Sequence, residues 1–101
     1  MSIDSSMDKV LERRQEVETQ LSRSAELSSK ALADFSRELS ELRPVCEQIE
    51  LVRALESELK DAITMVAEAA GDDEVQAMAG AEVTLRKDRI PVEKERLQLL
   101  L

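Results

Sequence analysis

The 101 residues carry 14 basic and 22 acidic side chains, a net charge of −8 that reads as spread along a solvated helical surface, and that balance argues against binding a phosphate backbone through clustered Lys and Arg. Phe35 is the only aromatic residue, so no base-stacking platform can form, and no apolar run approaches the ~18 residues of a membrane span. With no histidine and one cysteine, Cys46, the chain offers no imidazole metal ligand, no Ser/His or Cys/His nucleophile pair and no internal disulfide.

Glycine occurs only at 71 and 80 and proline only at 44 and 91. Good helix formers dominate and alternating β-branched runs are missing. The predicted fold class is all-α, an elongated antiparallel three-helix bundle with helices at about 6–24, 29–70 and 73–101. Helix 1 is predicted to start at Ser5 or Ser6, with Asp8 in its first turn. Met7, Val10, Val17 and Leu21 recur at helical spacing, Leu11 widens the stripe, and Arg14 interrupts it and must snorkel. Serines 22, 24, 28 and 29 mark the first turn.

Helix 2 places Leu32, Phe35, Leu39, Leu42, Cys46 and Ile49 at alternating steps of three and four, a seven-residue repeat. The stripe then continues as Val52, Leu55, Leu59, Ile63 and Val66, one step out of phase, which favours a short bundle over a sustained supercoil. Pro44 lacks the N–H that would bond Ser40, so a kink is expected near Arg43. Forty-two residues at 1.5 Å each would span ~63 Å. Cys46, between Leu42 and Ile49, reads as a small buried thiol.

Gly71 can take the left-handed backbone that ends helix 2, Asp72 can cap helix 3, and Asp73 and Glu74 sit where the helix dipole favours negative charge. Val75, Ala79, Val83, Ile90 and Leu97 share one face of helix 3. Met78, Leu85, Val92 and Leu99 form a second stripe more than 100° away, so two partners are expected. Pro91 should bend the helix by removing the bond to Lys87. Short connections make the three helices run up, down and up, with helices 2 and 3 extending past helix 1 as a long two-helix arm. Residues 1–101 read as a single helical domain. The run Leu99, Leu100, Leu101 ends with nothing polar after it, and termini are ordinarily loose and wet. The sequence is therefore expected to be a piece of a longer protein.

Carboxylate groups such as Glu12/Glu16 and Asp72/Asp73/Glu74 have no apolar surroundings in the sequence to raise a pKa. The latter run is too compact for a calcium loop, and no glycine-rich phosphate loop is present. The tract from Arg86 to Arg96 mixes signs at four-residue spacing, as in Glu82–Arg86 and Arg89–Glu93, and reads as an exposed face. No catalytic, cofactor-binding or metal residue is assigned, no cofactor is expected, and nothing marks an enzyme.

The order Asp-x-Glu-x-x-x-Met-Ala-x-x-Glu (Asp72, Glu74, Met78, Ala79, Glu82), followed by Leu97-Gln98-Leu99-Leu100-Leu101, resembles the N-terminal helical domain of the bacterial peptide chain release factor 1 family, class I translation release factors. Ser36-Arg37-Glu38-Leu39 and Glu41-Leu42 resemble that domain's second helix. The likeness runs ungapped over about 70 residues, from near Phe35 onward, while the N-terminal third matches only in character. It implies a ribosome-associating domain at the base of the large-subunit stalk, in a cytoplasmic protein that directs termination at UAG and UAA. The codon-reading tripeptide and the Gly-Gly-Gln hydrolysis loop lie downstream in that family and are absent from these residues. Partners implied are the ribosome, through basic ribosomal proteins, and the parent protein's remaining domains, with no membrane and no sequence-specific nucleic-acid binding. Composition and periodicity alone equally support another class, a self-associating helical scaffold or chaperone-like bundle whose second stripe drives homodimer formation.

Overall fold

A computed structural model describes residues 3–101. They form α1 (Ile3–Leu21), α2 (Ser29–Glu68) and α3 (Asp73–Leu100), with one 3₁₀ turn at Ser24–Glu26. The all-α class holds, and no strand occurs among the described residues.

α1 begins and ends about three residues earlier than its apolar pattern suggests. Asp4 already lies in the first turn, where negative charge is favoured. At the other end Ser22 N–H still reaches the Glu18 carbonyl at 3.0 Å, but Arg23 N–H bonds Gln20 at 3.1 Å. Ser22 Oγ also donates to the Thr19 carbonyl at 2.6 Å. These local bonds tighten the chain into the turn at residues 22–23 that leads to the 3₁₀ segment Ser24–Glu26, because serine side chains compete for helical carbonyls. Met7 and Val17 are fully buried. Arg14 is half-buried, with Nε 3.4 Å from Glu18 Oε1, as a snorkelling stem requires.

Ser28 starts α2 as its cap, its Oγ accepting the Ala31 N–H at 3.1 Å. The helix continues through Pro44, and α3 through Pro91, without interruption. Both prolines are exposed, as are Ser40 and Lys87, whose carbonyls lose their helical donor. Water can reach groups on that side, so neither lost bond ends a helix. Along α2 the buried residues are Cys46, Ile49, Val52, Leu55 and Ala62, while Phe35, Leu39, Leu42 and Leu59 are half-buried. The steps from Cys46 to Leu55 are all three residues, each ~60° short of a full turn, which is the phase change seen in the pattern. Downstream the expected line is corrected at one position: Ala62 turns inward and Ile63, ~100° further round the helix, is 48 % exposed.

The α2–α3 connection follows its sequence signals closely. Gly71 has φ +96°, in the left-handed region, and Asp72 N–H bonds the Ala69 carbonyl at 2.9 Å. Asp72 Oδ1 accepts the Val75 N–H at 3.2 Å, and its carbonyl accepts from Gln76 at 2.9 Å. α2 ends at Glu68, two residues before the expected end, with the Ala69 N–H still bonding the Met65 carbonyl at 2.9 Å. Along α3, Ala79 and Leu97 are buried and Val83 and Ile90 half-buried. Val75, in the first turn, is 38 % exposed and departs from that face.

The chain packs as two compact units, one of residues up to Ile49 with Leu100 and Leu101, the other Glu50–Leu99. In the first unit α1 and the leading part of α2 run antiparallel. The Arg13 guanidinium grips the Glu38 carboxylate across them, with Nη2 at 2.8 Å from Oε1. In the second, the pairs Gln76–Val66, Arg86–Glu58 and Lys94–Glu56 show α2 numbers falling as α3 numbers rise. The remainder of α2 and α3 therefore form an antiparallel hairpin.

Candidate interaction surface

The chemistry-bearing side chains are carboxylates and guanidinium groups, and most of their geometry is accounted for by holding helices together. Arg13 bonds Glu38 and, at 3.1 Å, Glu16. These hydrogen bonds raise the Arg13 pKa and hold the Glu38 carboxyl below the ordinary glutamate value. Arg86, with its side chain only 22 % exposed, donates from Nε to Glu58 at 3.0 Å and from Nη1 to Glu82. The Glu82 bond is the larger cause of its raised pKa. The anticipated Glu82–Arg86 pair is thus present and extends across to α2. Among the described residues no group of three or more His, Cys, Asp and Glu side chains could hold a metal ion, and no helix is long and apolar enough to cross a membrane.

Two expectations about charge are corrected. Glu93, read as part of an exposed tract, is 4 % exposed, and its Oε1 accepts from Arg96 Nη1 at 2.8 Å. It stands four residues before Leu97, so a carboxylate shares the inward face with the leucine. Alternation of sign hides this, because the tract looks alike on both sides. Nor is the net charge evenly spread. Residues 54–85 contain eight acids and one base, Lys60, a net −7 of the chain's −8. Counting by segment would have found this in the sequence. Asp72, Asp73 and Glu74 are explained by the start of α3, whereas Asp61 and Glu68 lie mid-helix and at the last turn of α2.

The exposed large apolar side chains fall largely on the same unit. Met78, Leu85, Val92 and Leu99 are 67 %, 59 %, 49 % and 84 % exposed, so the second stripe of α3, for which a second partner is expected, is largely uncovered. On α2, Met65 is 52 % exposed. Two shallow clefts of about 210 Å³ lie between α2 and α3. One is apolar, lined by Ile63, Val66, Gly80 and Val83. The other has Ala62, Met65 and Ala79 among the carboxylates of Glu58, Asp61 and Glu82, with Arg86 beside them. Nothing in this arrangement pairs a nucleophile with a base. It is a surface suited to contact.

Comparison with known proteins gives a family match and several relatives. The PCRF domain family matches residues 10–101. A peptide chain release factor 1 from Wolbachia pipientis is 30 % identical over 101 residues, all of this chain and 28 % of that protein. A second, from Ruegeria pomeroyi, is 34 % identical over 95 residues, 94 % of this chain and 25 % of the relative. A third, from Roseobacter denitrificans, is 37 % identical over 70 residues, 69 % and 19 % of the two chains. The chain thus spans about a quarter of the length of the curated relatives it matches. No solved structure matches it.

Proposed function

The chain belongs to the PCRF domain family, and from that premise we propose that it is the N-terminal helical, ribosome-associating domain of a peptide chain release factor acting in translation termination. The observation that carries this reading is the match over residues 10–101 together with relatives named peptide chain release factor 1. The uncovered helical surface supports a binding role. Residues 54–85, at net −7, suit basic ribosomal proteins at the base of the large-subunit stalk, since complementary charge steers encounter. They suit direct packing on rRNA poorly. The domain works in the cytoplasm, where the ribosomes are, and needs no cofactor.

These residues form a single binding domain with no catalytic residue of their own. Stop-codon reading, at UAG and UAA by resemblance, and peptidyl-tRNA hydrolysis belong to segments outside them. The test is twofold. The purified 101 residues should co-sediment with bacterial ribosomes and should release no peptide at a stop codon. Absence of ribosome association would overturn the binding reading, and stop-codon-dependent release would overturn the division of labour. The exposed Met78, Leu85, Val92 and Leu99 stripe favours one other reading, a helical scaffold that pairs with its own copy, for which ribosome association is not expected.

A further inference from the structure

The acid-rimmed cleft of the α2–α3 hairpin has features that the translation role alone does not specify. Its apolar lining is Ala62 and Ala79, both buried, with Met65 half exposed between the helices. Glu58, Asp61 and Glu82 stand around it. Arg86 ties Glu58 to Glu82, so its fixed cation lies at the pair of acids and Asp61 remains exposed. Along α3, Met78 and Leu85 stand four residues before and three residues after Glu82. The three side chains therefore adjoin on one helical face, and both apolar ones are more than half exposed. Met65 and Met78 are unbranched thioethers, the side chains best able to adapt to a partner's shape. The surrounding residues 54–85 hold one base against eight acids.

We propose that this cleft docks a basic amphipathic helical segment of a partner protein. The partner's apolar side chains would rest on Met65, Met78 and Leu85, and a Lys or Arg would lay its stem over Ala62 and Ala79. The cation at the end of that stem meets Asp61. The charge balance selects this occupant. A second copy of the chain would bring another net −7 segment onto the first, and a nucleic acid would bring phosphates onto carboxylates. For the partner's class, a basic ribosomal protein, the proposal rests on the translation reading, while the cleft itself does not.

The experiment uses the 101-residue protein and two synthetic helical peptides. One carries leucines at i, i+3, i+4 and i+7 with lysines elsewhere; the other replaces those leucines by alanine. Binding is followed by isothermal titration and amide NMR shifts at two salt concentrations. The leucine–lysine peptide should bind saturably, perturb residues 58–85, and bind at least tenfold more tightly than its alanine counterpart. Asp61→Lys should weaken it at least tenfold, whereas Glu41→Lys, an equal charge change on an exposed residue of the other unit, should not. Met65→Lys, also exposed, provides a second variant with the same expected loss. Equal weakening by Asp61→Lys and Glu41→Lys, equal binding of both peptides, or shifts confined to other residues would overturn the proposal. So would concentration-dependent self-association through the same residues. If ribosomes bind Asp61→Lys and Met65→Lys as tightly as the parent protein, the cleft fails as the ribosomal contact while the release-factor reading stands. Loss of binding by the parent protein itself defeats that reading.

Discussion

Ile49 and Ile63 lie on the same helix and would read as members of one apolar line, yet the structure gives them opposite environments. Ile49 is 0 % exposed and Ile63 48 % exposed. Replacing isoleucine by alanine removes three carbons. At ~0.8 kcal/mol per buried carbon, Ile49→Ala loses ~2.4 kcal/mol of transfer energy. The cavity left in a packed interior adds to this, giving an expected loss of ~2–5 kcal/mol. Ile63 is half in water already, so solvent fills the space left by truncation and only about half the transfer term remains, ~1 kcal/mol. The same change at two sites should therefore differ by at least ~1 kcal/mol, a large share of the ~5–15 kcal/mol that holds a domain folded. Urea denaturation followed by circular dichroism at 222 nm measures both, with attention to whether the slope is unchanged. A loss below ~0.5 kcal/mol for Ile49→Ala, or equal losses at the two sites, would show that the register of α2 is wrong.

The two glycines should respond with opposite signs. Gly80 is inside α3 and an added Cβ meets nothing within 4 Å, so Gly80→Ala should stabilise by ~0.5–1 kcal/mol. Gly71 has equal space but φ +96°, so Gly71→Ala should destabilise by ~1–2 kcal/mol; thermal melts of the two variants shifting in the same direction would contradict this. Glu38 is held below the ordinary glutamate value chiefly by its hydrogen bond to Arg13. A lowered folded-state pKa adds stability above the unfolded value that is lost as pH falls through the folded one, so Arg13→Ala should raise the Glu38 midpoint in a carboxyl NMR titration, and an unmoved midpoint would refute the pairing. Repulsion between two net −7 segments should keep the exposed α3 stripe from pairing with a second copy; sedimentation equilibrium showing association at hundreds of micromolar would refute it.

The parts of the fold legible in the sequence are those set by one or two residues acting locally. Gly71 at positive φ and Asp72 bonded to the Val75 N–H are where their side-chain chemistry puts them. The phase change of α2 was readable for a related reason, since an apolar period records which face is covered whatever covers it. Competition between local bonds was less readable. Ser22 and Arg23 end α1 by contacts that the apolar stripe does not encode. Neither was the choice between adjacent apolar residues, since Ala62 and Ile63 both fit a helical period and it is Ala62 that faces inward. Glu93 was least legible, because a buried carboxylate is exceptional and needs Arg96, three residues on, to hold it.

The same distinction bears on the surface. Five residues carry the family resemblance at the start of α3, and four of them have work inside the chain. Asp72 caps the helix, Glu74 lies in its first turn, Ala79 is buried, and Glu82 pairs with Arg86. Met78 does none of this and is 67 % exposed. A large apolar side chain at that exposure gains almost nothing from the fold that displays it. Val75, one turn before it, and Leu85, two turns after it, are 38 % and 59 % exposed, so the exposure recurs along the helix and does not belong to one stray side chain. Exposed large apolar side chains that recur along one helix are characteristic of contact sites. The motif thus combines residues that build the hairpin with one that the hairpin does not use, and Met78 is the position about which a binding surface would be organised.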